Sequence, residues 1–165
     1  MKQIDIDGDS DVAQLIKTRL RKTPEHRREI QKFSYRTPSF GPTSQRAIVR
    51  LATTDILLGM VQVFKSGGET RMHSHAGMDG FWLVLGGSAR FYFDDNTSVE
   101  VGRFEGVCTP REVNYWFEAI GPDPLEILQV DAIHPGLQNQ VQFVAAEDRP
   151  SGPPQHDIYD AQAEG

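Results

Sequence analysis

The sequence predicts an all-β domain, and two features of its pattern support that prediction. From Arg46 to about Phe143 the chain consists of short runs rich in Val, Ile, Leu and aromatic residues. Turn residues interrupt these runs at intervals of roughly eight to twelve residues, a spacing typical of a β-sandwich or barrel. The predicted strands are residues 47–52, 56–64, 81–85, 89–93, 98–101, 104–108, 113–119, 126–133 and 141–144.

Three segments of different character divide the chain. Residues 1–45 are predicted to be an N-terminal helix and extended arm, because Asp9, Ser10 and Asp11 offer N-cap oxygens to a short amphipathic run that ends before Pro24. Residues 46–144 form the predicted barrel. Residues 145–165 contain prolines and few apolar side chains, and they are predicted to be a flexible tail.

Length and composition restrict the class of protein. A chain of 165 residues with 38% hydrophobic residues can bury one core. No apolar run approaches the roughly 20 residues that a membrane-spanning helix needs, and the first ten residues are acidic and polar rather than signal-like. We therefore expect a cytoplasmic protein without membrane contact. Cys108 is the only cysteine, which excludes an intrachain disulfide and a multi-cysteine zinc site.

The charges are distributed unevenly along the chain. Residues 1–50 carry eleven Lys or Arg against six Asp or Glu, whereas residues 51–165 carry six against seventeen. The basic arm has no interleaved stacking aromatics and the acidic remainder would repel phosphate, so we expect no nucleic-acid partner. The arm is instead expected to dock on an acidic body or a partner subunit. Its segment 33–40 is expected to cross a second barrel, which predicts a homodimer.

Two histidines and an acid carry the clearest chemical signal. His73 and His75 are two residues apart in a predicted strand, so their side chains leave the same face. Asp79 follows beyond a turn and is placed to return a carboxylate to the same point. Two imidazoles and one carboxylate form a facial metal site with open positions for water, substrate or oxygen. The alternative is a pair of cavity-lining histidines with Asp79 in a turn.

The order and spacing of these residues resemble the first motif of the cupin superfamily. Gly67, His73, His75, Asp79 and Gly86 match that motif residue for residue, except that Asp79 stands where the family usually has Glu. The resemblance covers roughly residues 46–135. It implies a double-stranded β-helix, or jelly-roll barrel, with an internal pocket and commonly a homodimeric assembly. It does not specify an activity, since cupins include enzymes, sensors and storage proteins.

The second cupin motif is degenerate in this chain. Gly102, Pro110 and Phe117 occupy family positions, but Tyr115 replaces the usual histidine ligand. A phenol binds metal well only after losing its proton, and it is also a good general acid or hydrogen-bond donor. Tyr115 is therefore predicted to be a fourth ligand or an acid. Packing within the barrel is the alternative.

Strand alternation extends the predicted pocket. Arg71 shares the strand face of His73 and is expected to steer a substrate anion or to pair with Asp131, unless it lies at the barrel mouth in water. Gln129 and Asp131 share one face of a late strand, and either that face or the opposite one points inward. An apolar lining is expected from the residues that share the parity of Asp79. These residues are Phe81, Leu83 and Leu85.

Three functions remain open at this point. The first is an enzyme that holds one divalent Fe, Mn, Ni or Zn ion through His73, His75 and Asp79 and acts on a small, anionic organic molecule, with chemistry of the dioxygenase, isomerase or lyase type. The second is a metal-free epimerase or dehydratase in which His73 or His75 removes a proton and Tyr115 donates one. The third is a sensor or ligand-binding cupin without activity.

Overall fold

The structure is a computed structural model that describes residues 2–4, 30–39, 44–65, 71–137, 143–145 and 156–161. The predicted N-terminal helix and the Gly67-Gly68 turn lie outside these ranges. Within them every regular element is a strand, and no helix is long and apolar enough to cross a membrane. The predicted all-β class is therefore confirmed.

The described residues form twelve strands in chain order. They are β1 (Lys2–Ile4), β2 (Arg46–Thr53), β3 (Leu57–Phe64), β4 (His73–His75), β5 (Met78–Gly86), β6 (Ser88–Phe93), β7 (Ser98–Val101), β8 (Gly106–Thr109), β9 (Tyr115–Ile120), β10 (Leu125–Ile133), β11 (Phe143–Ala145) and β12 (His156–Asp160). Each of the nine runs predicted from the sequence overlaps one of these strands. The HxH segment forms β4, as expected.

Two sheets build the barrel. A seven-stranded sheet has the order β1-β12-β2-β3-β10-β5-β8, and a five-stranded sheet has the order β11-β4-β9-β6-β7. Alternating apolar side chains from both sheets meet in one aromatic core, which includes Phe64 and Trp82 from the first sheet and Phe91 and Phe117 from the second. The Phe64 and Phe117 rings pack edge to face with centroids 5.2 Å apart. This core fixes the separation of the two walls that carry the site.

The C-terminal segment differs from the prediction. Residues 156–160 form β12, which pairs in parallel with β2 and antiparallel with β1, so this part of the predicted flexible tail belongs to the sheet. Ile158 and Tyr159 are buried there. The Pro-rich composition of the tail led to the prediction of flexibility, but the apolar pair Ile158 and Tyr159 is enough to add a strand to the edge of the sheet.

The described part of the arm also differs from the expectation. Residues 30–39 contact the seven-stranded sheet of their own chain: the Tyr35 hydroxyl donates to Oε2 of Glu126 (2.6 Å), and the Ser34 amide donates to the Ala161 carbonyl (3.1 Å). Tyr35 packs on the outer face of the sheet beside Leu85 and Leu128. The arm therefore has a surface of its own chain to cover, and the homodimer stays a prediction.

Candidate active site

The β5 strand shows which residues face the barrel interior. Trp82 is 2% exposed, whereas its neighbour Phe81 is 51% exposed. Alternation then places Met78, Gly80, Trp82 and Val84 inside and the residues of the Asp79 parity outside. The predicted lining by Phe81, Leu83 and Leu85 is therefore wrong. The chain turns at residues 76–77 between β4 and β5, so the parity of the histidines does not continue into β5.

His73 and Tyr115 meet on the five-stranded wall. They are cross-strand partners of β4 and β9, both are buried, and their ring centroids lie 4.5 Å apart. The His75 ring lies 5.0 Å from that of His73 and 6.5 Å from that of Tyr115. The structure thus brings together three of the five predicted site residues.

A backbone contact orients the His73 imidazole. Its Nδ1–H donates to the Arg71 carbonyl at 2.5 Å, which places the proton of the neutral ring on Nδ1 and the lone pair on Nε2. Arg71 itself is half-buried just before β4. Its described contribution is this carbonyl, and the predicted role of its guanidinium stays a prediction.

Asp79 forms its described hydrogen bond with the backbone beyond β8. Its Oδ1 accepts a hydrogen bond from the Arg111 amide at 2.8 Å, and its cross-strand partner on β10 is the exposed Ala132. Among the described residues no group of three or more His, Cys, Asp or Glu side chains is placed to hold a metal ion. The three-ligand metal centre of His73, His75 and Asp79 therefore stays a prediction.

The surroundings of Tyr115 favour a phenol that retains its proton. Burial raises the pKa of its phenol far above the usual range, and the charge of Asp131 raises it further. A phenol that retains its proton is a poor ligand and a good hydrogen-bond donor. The Thr109 hydroxyl lies close to this phenol and opposes the rise of its pKa. This environment favours Tyr115 as an acid.

The opposite wall carries a polar group that the sequence left undecided. Gln129 and Asp131 of β10 point inward, with 3% and 1% of their surfaces exposed. Gln129 Nε2 donates to both carboxylate oxygens of Asp131, each at 2.9 Å. Burial raises the pKa of Asp131 to about 7, and the bonds from Gln129 oppose that rise. A carboxyl that titrates near neutral pH can both accept and return a proton.

Gly80 allows two polar groups, those of Thr109 and Trp82, to converge beside Asp131. A Cβ at this position would lie 2.6 Å from Oγ1 of Thr109, 3.0 Å from Nε1 of Trp82 and 3.7 Å from Oδ1 of Asp131. Trp82 Nε1 donates to Thr109 Oγ1 at 3.1 Å. Thr109 also lies close to Tyr115. Because Gly80 has no side chain, Asp131 and Tyr115 can both lie near the Thr109 hydroxyl.

Sequence reasoning missed several inward polar residues. They include Arg46, Arg50, Gln62 and Thr109. Gln62 carried a detectable signal, since it is a single amide inside the apolar run of β3 and is 2% exposed. Arg46 donates Nη2 to Gln62 Oε1 at 2.5 Å and lies over the Phe64 ring. An arginine at the first residue of a strand gives no such signal.

The arrangement of these strands defines a double-stranded β-helix, and comparison with known proteins agrees. A family model described as a cupin domain matches residues 60–131. Residues 60–131 therefore match a cupin domain, and the resemblance predicted from the first motif is confirmed. Comparison with curated protein sequences gives no match.

Solved structures share the fold at low sequence identity. A cupin superfamily protein from Desulfitobacterium hafniense is 19% identical with a TM-score of 0.53, covering 64% of this chain and 99% of its own. A double-stranded β-helix protein from Klebsiella pneumoniae is 20% identical with a TM-score of 0.57, covering 73% and 100%. The cupin domain of Cnp3 from Schizosaccharomyces pombe is 16% identical with a TM-score of 0.54, covering 62% and 74%. These similarities establish the architecture alone.

Proposed function

We propose that this cupin is an acid–base enzyme that transfers protons on a small, anionic organic molecule with a C–H bond beside a carbonyl. Asp131 is the base and Tyr115 the acid. The observation that carries the proposal is the inward, buried carboxyl of Asp131 beside the Thr109–Tyr115 hydroxyl pair. The reaction class is that of epimerases, isomerases and dehydratases.

The two groups suit the two halves of a proton transfer. The Asp131 carboxylate takes the proton from carbon, and the C–H electron pair moves into an enolate whose oxygen becomes the strongest acceptor in the site. The Tyr115 O–H then donates to that oxygen or returns a proton to carbon. Reprotonation on the opposite face gives an epimer, and loss of a β-hydroxyl gives a dehydrated product. Asp131 passes its proton to the leaving hydroxyl in the second case.

Proton exchange with solvent tests this proposal. Small 2- and 3-hydroxy and keto acids are incubated with the protein in D₂O, and loss of the C–H signal is followed by NMR. We expect enzyme-dependent exchange that falls at least about a hundredfold in Asp131→Asn and in Tyr115→Phe, the lower end of what a positioned acid or base contributes. Asp79→Asn is the matched control. It changes an acid on the outer face and should leave exchange unchanged.

The metal-dependent enzyme is the second candidate, favoured by the pairing of His73 and His75 on one strand. When bound, such an ion would act as a Lewis acid on a carbonyl or activate water. The metal-dependent mechanism predicts the opposite pattern. Proton exchange should be lost when the protein is treated with a chelator and in His73→Ala, and added Fe, Mn, Ni or Zn should restore it to the chelated protein. Exchange that survives a chelator supports Asp131 and Tyr115, whereas exchange that requires added metal contradicts them.

A further inference from the structure

Hydrogen bonds connect four inward side chains into a series that begins at a guanidinium and ends at a carboxylate. We call this series the amide relay, and its members are Arg46, Gln62, Gln129 and Asp131. Arg46 donates to Oε1 of Gln62, and Nε2 of Gln62 donates to Oε1 of Gln129. Gln129 in turn donates Nε2 to both oxygens of Asp131. Every bond runs in the same direction, so both amides point their oxygen towards the cation and their nitrogen towards the anion.

This common direction couples the two ends. A carboxylate only accepts hydrogen bonds, whereas a carboxylic acid also donates one. If Asp131 takes a proton on an oxygen that faces Gln129, that amide must turn its oxygen towards the new donor. Its nitrogen then faces the nitrogen of Gln62, which must turn as well. The reversed Gln62 would present its amide nitrogen to the Arg46 guanidinium, so that two hydrogen-bond donors would face each other. This arrangement is unfavourable because a buried donor without an acceptor costs free energy.

We propose that Arg46 and Gln62 are positioning residues that hold Asp131 in its ionised, hydrogen-bond-accepting form through the orientation of Gln129. This deepens the proposed function, since it identifies what keeps the base ready to accept a proton in a buried site. Arg46 is half-buried, whereas Gln62, Gln129 and Asp131 are buried. The relay therefore transmits the effect of the Arg46 positive charge, which lies near the end of the barrel, to the Asp131 carboxylate inside it.

Other groups on the inner walls do not replace this arrangement. β3, β5 and β8 face Asp131 with the uncharged residues Leu58, Gly80 and Thr109. Among the described side chains of the remaining walls, the charged or titratable groups on this face are Arg50 on β2, Asp160 opposite it on β12, His73 and His75 on β4, and Tyr115 on β9. Tyr115 retains its proton throughout the neutral range, and Gln129 is the hydrogen-bond partner that lowers the pKa of Asp131.

Carboxyl titration by NMR tests the relay in the full chain labelled with ¹³C at the Asp side-chain carboxyl. The Asp131 signal is assigned with Asp131→Asn. We expect Gln62→Leu and Arg46→Met each to raise its titration midpoint by about one pH unit, as loss of a favourable charge does. The double variant should show no larger shift than either single variant, because both break the same connection. Leu128→Met, a volume-conserving change on the outer face of β10 next to Gln129, should leave the midpoint unchanged.

The unmutated protein provides a second readout that does not depend on folding of the variants. The side-chain amide signals of Gln62 and Gln129 should both change with pH and share the midpoint of Asp131. A Gln62 signal that stays constant while Asp131 titrates, or additive shifts in the double variant, would overturn the relay. Both readouts are independent of turnover. Coupled titration without substrate exchange would therefore refute the proposed function alone, and exchange without coupled titration would refute the relay alone.

Discussion

The rings of His73 and Tyr115 lie 4.5 Å apart as a cross-strand pair, and the tyrosine occupies the position where the cupin motif usually has a histidine. This pair suggests that one substitution would restore a metal centre. Tyr115→His would add a third imidazole beside His73 and His75, and three histidines with an open position form a typical zinc site. We expect at least tenfold tighter Zn²⁺ or Ni²⁺ binding than in the wild-type protein, measured by calorimetry.

The matched control for that gain is Tyr115→Phe. It removes the phenol without supplying a nitrogen ligand, so its metal affinity should not exceed that of the wild-type protein. If the wild-type protein binds as tightly as Tyr115→His, then Tyr115 or an unrecognised group already completes the centre. The acid role assigned to Tyr115 would then be wrong.

Asp131 should make stability depend on pH in an unusual direction. Its pKa rises from an ordinary value of 3.8 to about 7 on folding, so the folded state binds more protons than the unfolded chain between these values. The free energy of unfolding should therefore fall as pH rises from about 4 to about 7, by about 1.4 kcal/mol for each unit by which the pKa is raised. Above that range the contribution is constant.

Asp131→Asn removes the titrating group and should flatten this dependence, as measured by urea unfolding at several pH values. Asp79→Asn serves as the comparison because its side chain lies on the outer face of the same sheet, and it should retain the wild-type slope. An Asp131→Asn protein that keeps the full slope would show that another group is responsible.

Gly80 should tolerate no side chain. An added Cβ would lie 2.6 Å from the Thr109 hydroxyl, closer than real Cβ atoms approach their neighbours, and 3.0 Å from the Trp82 indole nitrogen, which is also a tight contact. Gly80→Ala should lower the free energy of unfolding by about 1–3 kcal/mol, as overpacking of a close-packed interior does. It should also disturb Trp82 fluorescence.

Gly59→Ala provides the control for that change within the same sheet. Its added Cβ would come no closer than 3.7 Å to the Ala52 carbonyl, an ordinary contact. We expect a change within roughly 0.5 kcal/mol, typical of substitutions away from special features. Equal losses in the two variants would mean that the strands, rather than the polar neighbourhood of Gly80, reject the side chain.

Tyr35 should anchor the arm to the barrel. Tyr35→Phe removes the 2.6 Å hydrogen bond to Glu126 but keeps the ring that packs beside Leu85 and Leu128. We expect the loss of about 1–3 kcal/mol of local stability that a bond to a charged acceptor contributes. Faster amide exchange at Ser34, whose amide bonds the Ala161 carbonyl, would report the loosened arm. Thr37→Val removes the exposed bond to the same carboxylate and should have a smaller effect.

The sequence was a good guide to the strands because short apolar runs between turn residues have few other ways to fold. It was a good guide to the facing of His73 and His75, since both lie on one strand and period two holds within it. It failed for the predicted lining residues Phe81, Leu83 and Leu85 because parity cannot be carried across the turn that separates β4 from β5. The outcome depended on the geometry of residues 76–77, which no local pattern reveals.

The proximity of Asp131 and Tyr115 could be recognised only from the folded structure. Alternation shows that Gln129 and Asp131 share a face, but only the position of β10 between β3 and β5 decides that this face points inward. The contributions of Arg46 and Thr109 come from strands far apart in sequence. Side chains that meet through sheet order, rather than through spacing along the chain, are beyond a single-sequence prediction.

The position of β12 has a consequence for synthesis. Among the described strands this one lies between β1 and β2, and residues 158–160 pair with residues 2–4. β12 must therefore leave the ribosome before β1 can join the sheet beside it. Until then the edge of β2 is exposed to other nascent chains, and slow translation of the segment that contains β12 should favour intermolecular strand pairing.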